Sequence, residues 1–372
     1  MGCGVLEFVT VPKPFHASRL LPLVGKPCNM HDLAVPYRGL RWPAEFSPHD
    51  ATWVSWPRNA ETWPNNLALS QSEHATFVRT IADFEKVHVL AGGDARETAE
   101  RALGDHPNIE LVDIPTNDAW ARDHAPTFVL DEDQRLVAIN WIFNAWGGKY
   151  PPFDNDQAAG SLIAKHLGCG LVRSDKVFEG GAIETNGEGL LLTTRSCALD
   201  PIRNPGITAE EFESIFRSLL GVDRIAWLPG DPIIGDDTDG HIDQIARFVD
   251  RHRVLVAVQQ ETDDPNHAPL QGNWNELHAW NEREQAGLEL IELPMPGPVE
   301  LFGVRLPASY ANFYIANSLV LVPQFDDPRD DYALGLLKDL FPKRQVIGSP
   351  ARNLVVGLGS IHCMTQQQPA QF

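Results

Sequence analysis

The chain has 372 residues, 43% of them hydrophobic and 22% charged, a composition that excludes collagenous, coiled-coil and disordered classes. Its formal net charge of -20 argues against non-specific nucleic-acid binding, which needs a basic surface; it suits a cationic substrate, which a negative field concentrates. No apolar run reaches the roughly 18 residues of a membrane span, and the cysteines (Cys3, Cys28, Cys169, Cys197 and Cys363) have neither metal-clip nor disulfide-framework spacing.

The first forty residues hold Pro12, Pro14, Pro22, Pro27 and Pro36 and show no clear period. They lack a basic stretch followed by an apolar core, so no signal peptide is expected. Residues 1–41 read as an irregular N-terminal extension, and free thiols point to a cytoplasmic location.

From Trp42 onward, amphipathic helices alternate with short apolar strands. Phe77, Ile81 and Phe84 share a helical face before the strand VHVLAG. Leu162, Ile163 and Leu167 do the same before GLVR. Thr208 and Glu211 form a capping-box pattern ahead of Phe212, Ile215, Phe216 and Leu219, and RIAWLPG follows. Leu277 and Trp280 lead into LELIELP, and Leu334, Leu337 and Phe341 into RQVIGSP. Between these units lie strand pairs: GGAIETNGEGLLLTT with a turn at Asn186-Gly187, HIDQIARFVDRHRVLVAVQ, and YANFYIANSLVLVPQF. A strand–strand–helix–strand module repeated about five times predicts a pseudo-symmetric α/β fold closed around an axis, because no module can bury its apolar face alone. No linker divides it, so one domain is expected over residues 42–372.

Five segments combine reactive side chains with glycines or tight turns: TNDAWARDHAP (116–126), FEGGAIE (178–184), GDDTDGHID (235–243), ASYANFYIAN (308–317) and GSIHCMTQQQP (360–369). Cys363 follows a glycine-rich approach; a thiol is nucleophilic as the thiolate and otherwise packs as a small apolar residue, as Cys197 also can. His241 and Asp243, read as a strand, would project from one face as a proton-transfer pair, or simply satisfy each other. Asp123 can grip a guanidinium through two parallel hydrogen bonds, or pair with Arg122 at the surface. Trp120 can face a cation. Glu179 precedes two glycines that would let its carboxylate enter a cleft, or is an ordinary turn acid. Together a thiol, an imidazole and three carboxylates suit a planar, cationic, donor-rich guanidinium.

These motifs, in this order over about nine-tenths of the chain, resemble the agmatine deiminase and Porphyromonas-type peptidylarginine deiminase family. The segments carrying the resemblance include WPAEFSPHDATWVSWP, TNDAWARDHAPTF, FNAWGGKYPPFDND, FEGGAIETNGEGLLLTT, GDDTDGHIDQIARF, NFYIANSLVLVP and GSIHCMTQQQP. The resemblance implies a five-bladed α/β propeller, the pentein fold. It implies Cys363 as nucleophile, His241 as general acid and base, Asp123 and Asp243 as the carboxylates holding the guanidinium, and Glu179 as partner of the histidine and a substrate nitrogen. No cofactor or metal is implied, and the substrate is a small cationic guanidine, foremost agmatine; a homo-oligomer is compatible. Two features depart from the pattern: the long extension, and the WGGKYPPFD segment, which is closer to the peptidylarginine-deiminase-like branch. Asp237 in the acidic turn before His241 either receives a distal amine or serves as a turn acid. Action on peptide arginine, a non-catalytic guanidine-binding homologue, and a metal hydrolase built on His241, Asp243 and His362 are the competing readings.

Overall fold

Each apolar strand read from the sequence finds the same kind of partners. In four three-stranded sheets a short leading strand pairs antiparallel with a second strand, and a helical crossover returns the chain to a third strand parallel to the second. The leading strands are Thr127–Leu130, Ile183–Thr185, Ala246–Phe248 and Tyr314–Ala316. The crossovers run through the helices Asp154–Leu167, Ala209–Leu220, His267–Arg283 and Asp330–Leu340. The fifth sheet follows the plan with one change. Its leading strand, Thr365–Pro369, comes from the far end of the sequence and pairs antiparallel with His49–Ser55. The helix Leu67–Ala82 then leads to the parallel strand Lys86–Leu90. The fold is therefore α/β with mixed sheets. The computed structural model describes residues 37–301 and 303–371, so the extension expected over 1–41 lies, for residues 1–36, outside the described residues. The compact unit already includes Arg41, whose backbone pairs with Leu130.

Local chemistry accounts for the boundaries. Thr208 accepts from the Glu211 amide while the Glu211 side chain accepts from the Thr208 amide, the reciprocal cap read from the sequence. That helix ends at Gly221, which takes a left-handed φ of 64°. Its apolar face, Phe212 and Phe216, packs against Phe178 at ring separations of 5.2 and 5.3 Å. Truncating one such ring to alanine costs about 3–5 kcal/mol.

Several elements escaped the sequence reading, including the strands His49–Ser55, Thr127–Leu130 and Leu136–Ile142, and three of them show why. The helix Ala95–Leu103 buries only Ala95, Ala99 and Leu103, an apolar stripe made mostly of alanine. The strand it feeds, Ile109–Val112, adds a fourth strand at the sheet edge and is mostly half-buried. The leading strand Thr365–Pro369 is polar yet buried throughout, because its glutamines find partners: Trp53 Nε1 donates to Gln368 Oε1 at 2.9 Å.

What positions the site is the lead-in to each leading strand. Short helical turns occupy Ala121–His124, Gly180–Ala182, Ile242–Gln244 and Tyr310–Asn312, and residues 361–364 form the fifth turn. All five reactive segments lie on these equivalent turns.

Candidate active site

The turns bring Asp123, Glu179, His241, Asp243 and Cys363 into one buried cluster. Its floor is Gly181. A Cβ there would lie 2.6 Å from His241 Nδ1, 2.8 Å from Asp123 Oδ1 and 3.2 Å from Asp243 Oδ2. Any larger residue would fill the point where the three side chains converge. The preceding Gly180 is equally constrained, since a Cβ would meet the Arg122 carbonyl oxygen at 2.2 Å. The glycine pair of FEGG thus makes room for the functional groups themselves.

His241 and Asp243 do not lie on a strand as expected. His241 caps the 3₁₀ turn Ile242–Gln244 that contains Asp243. The two side chains still meet over Gly181, but each serves a different side of the cluster. His241 Nδ1 is 3.7 Å from Asp123 Oδ1, and its Nε2 is 3.7 Å from Glu179 Oε2. Neither ring nitrogen has a hydrogen-bond partner among the described residues, nor has Asp243 Oδ1. Burial opposes charging of His241, but Asp123, Cys197 and Glu179 outweigh it and hold its pKa well above the usual 6.5. The imidazolium form prevails near neutral pH.

Asp123 accepts from the Gly181 amide at 2.9 Å and from Trp146 Nε1 at 3.0 Å. The expected alternative, a surface pair with Arg122, does not form. Arg122 is buried and turns the other way, to Glu45 Oε2 at 3.0 Å and Gln367 Oε1 at 2.7 Å. Burial pushes Asp123 up to about 6, with His241 pulling down and Asp243 and Glu179 pushing up. Glu179 is held below the usual range: burial works against its charge, but Arg203 and His241 win. The Arg203 Nε donates to both Glu179 oxygens, at 2.9 and 3.0 Å. Its Nη1 reaches Asp200 and Asp239 at 2.9 and 2.7 Å. Cys197, a buried thiol in the turn Arg195–Ala198, lies 3.6 Å from Glu179 Oε2.

Around Cys363 the network is tighter. Asn312 Nδ2 donates to the sulfur at 3.1 Å, and the thiol faces Asp243 Oδ2 at 3.4 Å. Asn312 Oδ1 accepts from Ser360 Oγ at 2.9 Å and from the His362 amide at 3.0 Å, so one side chain both touches the sulfur and fixes its loop. His362 spans two carboxylates, with Nδ1 2.8 Å from Asp243 Oδ2 and Nε2 2.8 Å from Glu45 Oε2. Both nitrogens are engaged by carboxylates. Burial, Asp243 and Asp123 push the Cys363 thiol well above its usual pKa, against the Asn312 hydrogen bond. Unliganded, the group is a thiol.

Trp120 stacks on Trp63 at 5.6 Å, and a Cβ at Gly359 would touch its ring at 2.6 Å. Its ring packs against the glycine approach to Cys363. Asp237 accepts from the Tyr150 hydroxyl. Burial pushes it to about 6 against that hydrogen bond. Lys149, beside Tyr150, is bound to Asp239 Oδ2 at 2.7 Å. Sequence reasoning missed Asn312, Arg203, Glu45 and Trp146. Asn312 stood inside a reactive segment, Trp146 and Glu45 stood inside segments that carry the family resemblance, and Arg203 lay in neither.

A thiol, an imidazole and three acids are delivered to one buried, acid-lined cluster by equivalent turns of a repeated α/β module. The chain belongs to the Porphyromonas-type peptidyl-arginine deiminase family, whose model matches residues 41–369. It is 38% identical over 357 residues to an agmatine deiminase of Stutzerimonas stutzeri, covering 90% of this chain and 96% of that protein. It is likewise 38% identical to the Pseudomonas syringae agmatine deiminase, with coverages of 90% and 96%. Among solved structures, the substrate-bound agmatine deiminase of C. jejuni superposes with a TM-score of 0.82 at 31% identity, covering 90% of this chain and 97% of the other. The Enterococcus faecalis agmatine deiminase superposes at 0.84 and 29% identity, with the same coverages.

Proposed function

We propose that the protein hydrolyses agmatine to N-carbamoylputrescine and ammonia through a covalent Cys363 intermediate, with residues 42–372 acting as one five-bladed pentein domain. The observation that carries this reading is the convergence over Gly181 of His241, Asp123 and Asp243, beside the Cys363 thiol. Agmatine deiminases at 38% identity over nine-tenths of the chain support the substrate. The protein is expected to be cytoplasmic; among the described residues no helix is long and apolar enough to cross a membrane.

The chemistry follows from the charges. Asp123 and Asp243 hold the guanidinium, and Asp243 Oδ1, otherwise unpartnered, accepts one of its N–H groups. The substrate's positive charge offsets the carboxylates that keep Cys363 protonated, so binding itself favours the thiolate, with the thiol proton released to solvent. The sulfur attacks the guanidinium carbon. His241, charged beforehand, gives its proton to the departing nitrogen; the C–N bond breaks and ammonia leaves. A thiouronium ester of Cys363 remains. Neutral His241 then takes a proton from water, the hydroxide adds to the carbon, and the C–S bond breaks as the added hydroxyl's proton passes to the departing sulfur, which returns the Cys363 thiol and a ureido product. Glu179, fixed by Arg203, holds the imidazolium and a substrate nitrogen.

Asp237 is the proposed receiver of the distal amine. Arg203 is paired with Glu179, Asp200 and Asp239, and Lys149 with Asp239. Neither cation stands ready for the α-carboxylate of free arginine, which favours agmatine. The test is ammonia release from agmatine, free arginine and a blocked arginine peptide, with wild type beside Cys363→Ala. Turnover of agmatine alone, lost in the variant, is the expected result. Turnover of the peptide would move the assignment to protein modification, and activity surviving in Cys363→Ala would remove the thiol mechanism.

A further inference from the structure

A second cluster of ligating side chains lies outside the active-site cluster, on the sheet that joins the two ends of the fold. His88 sits on the strand Lys86–Leu90, and its register neighbours are Trp53 on one side and Glu110 on the other. All three project from one face, because residues paired across a sheet share a side. The helix Asp154–Leu167, from the neighbouring module, packs Ile163 and Ala164 in the same apolar cluster as Trp53 and sets His166 beside Glu110.

Three atoms, one each from His88, Glu110 and His166, lie within 4.8 Å of one another. His88 Nδ1 is 3.3 Å from Glu110 Oε2, and His166 Nε2 is 3.7 Å from Glu110 Oε1. The His88 side chain is only 5% exposed, yet its Nδ1 has no aligned hydrogen-bond partner among the described residues. Trp53 stacks on the His88 ring at 4.2 Å and meets His166 edge-on at 5.9 Å, so both imidazoles rest on one indole. Glu110 and His166 keep 41% and 35% exposure, which leaves the outer side open to water. Lys86 Nζ holds Glu110 Oε2 at 2.6 Å, leaving Oε1 for a further cation.

We propose that His88, Glu110 and His166 form a binding site for a first-row divalent cation of zinc type. Two imidazoles and a carboxylate are a common zinc donor set, and water completes the shell on the open side. The ion would tie the helix of one module to the sheet of the next. It takes no part in deimination and does not depend on that assignment.

The probe is Zn2+ titrated calorimetrically into the full-length, metal-stripped protein, with His166→Ala and Glu110→Gln beside wild type. Both residues are part-exposed, and both variants are expected to fold and keep wild-type turnover. Wild type should bind one zinc that both variants lose or bind at least about tenfold more weakly, since removing even an outer-shell partner costs about 10–100-fold. Its melting temperature should rise with zinc and those of the variants should not. Co2+ bound at this site should give d–d bands without a sulfur charge-transfer band. Undiminished zinc affinity in the variants with a sulfur band would place the metal on a cysteine site, such as Glu179, Cys197 and His241, and overturn the proposal. So would a wild-type protein that binds no zinc.

Discussion

Asn312 offers the sharpest test of how the thiol is activated. Its Nδ2 donates to Cys363 Sγ at 3.1 Å, while its Oδ1 collects the Ser360 hydroxyl and the His362 amide. Asn312→Asp keeps the acceptor that fixes the loop but replaces the donor facing sulfur with a carboxylate oxygen. A hydrogen bond to a charged group contributes roughly 1.5–3 kcal/mol, or about a 10- to 150-fold change in thiolate population. The sign is fixed by the environment: Cys363 already lies well above its usual pKa, with Asn312 pulling down, so losing the donor raises it further. The thiolate-dependent rise in kcat/KM for agmatine should move to higher pH by roughly one to two units. Iodoacetamide alkylation of the unliganded protein should slow in parallel. A variant whose pH profile and alkylation rate superpose on wild type would refute the role of Asn312 in holding the thiolate.

Other outcomes follow from the same geometry. Asp237→Ala should raise KM for agmatine more than it lowers kcat, and an unchanged KM would remove Asp237 from the amine site. Arg203→Met leaves the fully buried Glu179 charge without its main partner; urea unfolding should show a loss of about 3–5 kcal/mol, and turnover should fall with it. A melt at wild-type stability would show that Glu179 does not need this pair. Burial holds His74 and His124 each down to about 3, from an ordinary 6.5. The unfolded chain therefore binds their protons first as pH falls below 6.5, so the stability of keeping them neutral is present above that pH and drains away toward 3. That is on the order of 5 kcal/mol for each histidine over the whole window. His74→Phe, beside Phe77 and Trp56, should flatten the acid slope of the melting temperature; an unchanged slope would show that His74 is not buried as a neutral ring.

Where apolar periodicity was strong, the fold was legible from residues alone. The faces led by Phe77, Leu162, Phe212, Leu277 and Leu334 all lie in helices preceding a parallel strand, although Phe84 and Phe341 fall just past their helix ends. The reading failed where the side chains inverted the usual signal. Ala95–Leu103 presents alanines to the core, and Thr365–Pro369 buries glutamines. The reactive residues were legible because glycines and turns accompany them, although His241 and Asp243 meet through a 3₁₀ turn and not through strand alternation. Their supporting groups were not legible. Glu45 sits near the start of the described region yet accepts from Arg122, Arg247 and the Ile315 amide, contacts 77 to 270 positions away that no local pattern encodes.

The pairing of Thr365–Pro369 with His49–Ser55 has a kinetic meaning. Cys363 stands two residues before that strand, and the strand's partner Trp53 is 315 positions from Gln368. During synthesis the first sheet must wait, with its edge open, until nearly every other module has emerged. Contacts of such sequence separation form slowly, since the loop must close before they stabilise anything. Cys363 is thus the last of the five clustered groups to arrive, carried in by the strand that completes the first sheet, and if it is the nucleophile as proposed, no chain lacking its final residues can be active.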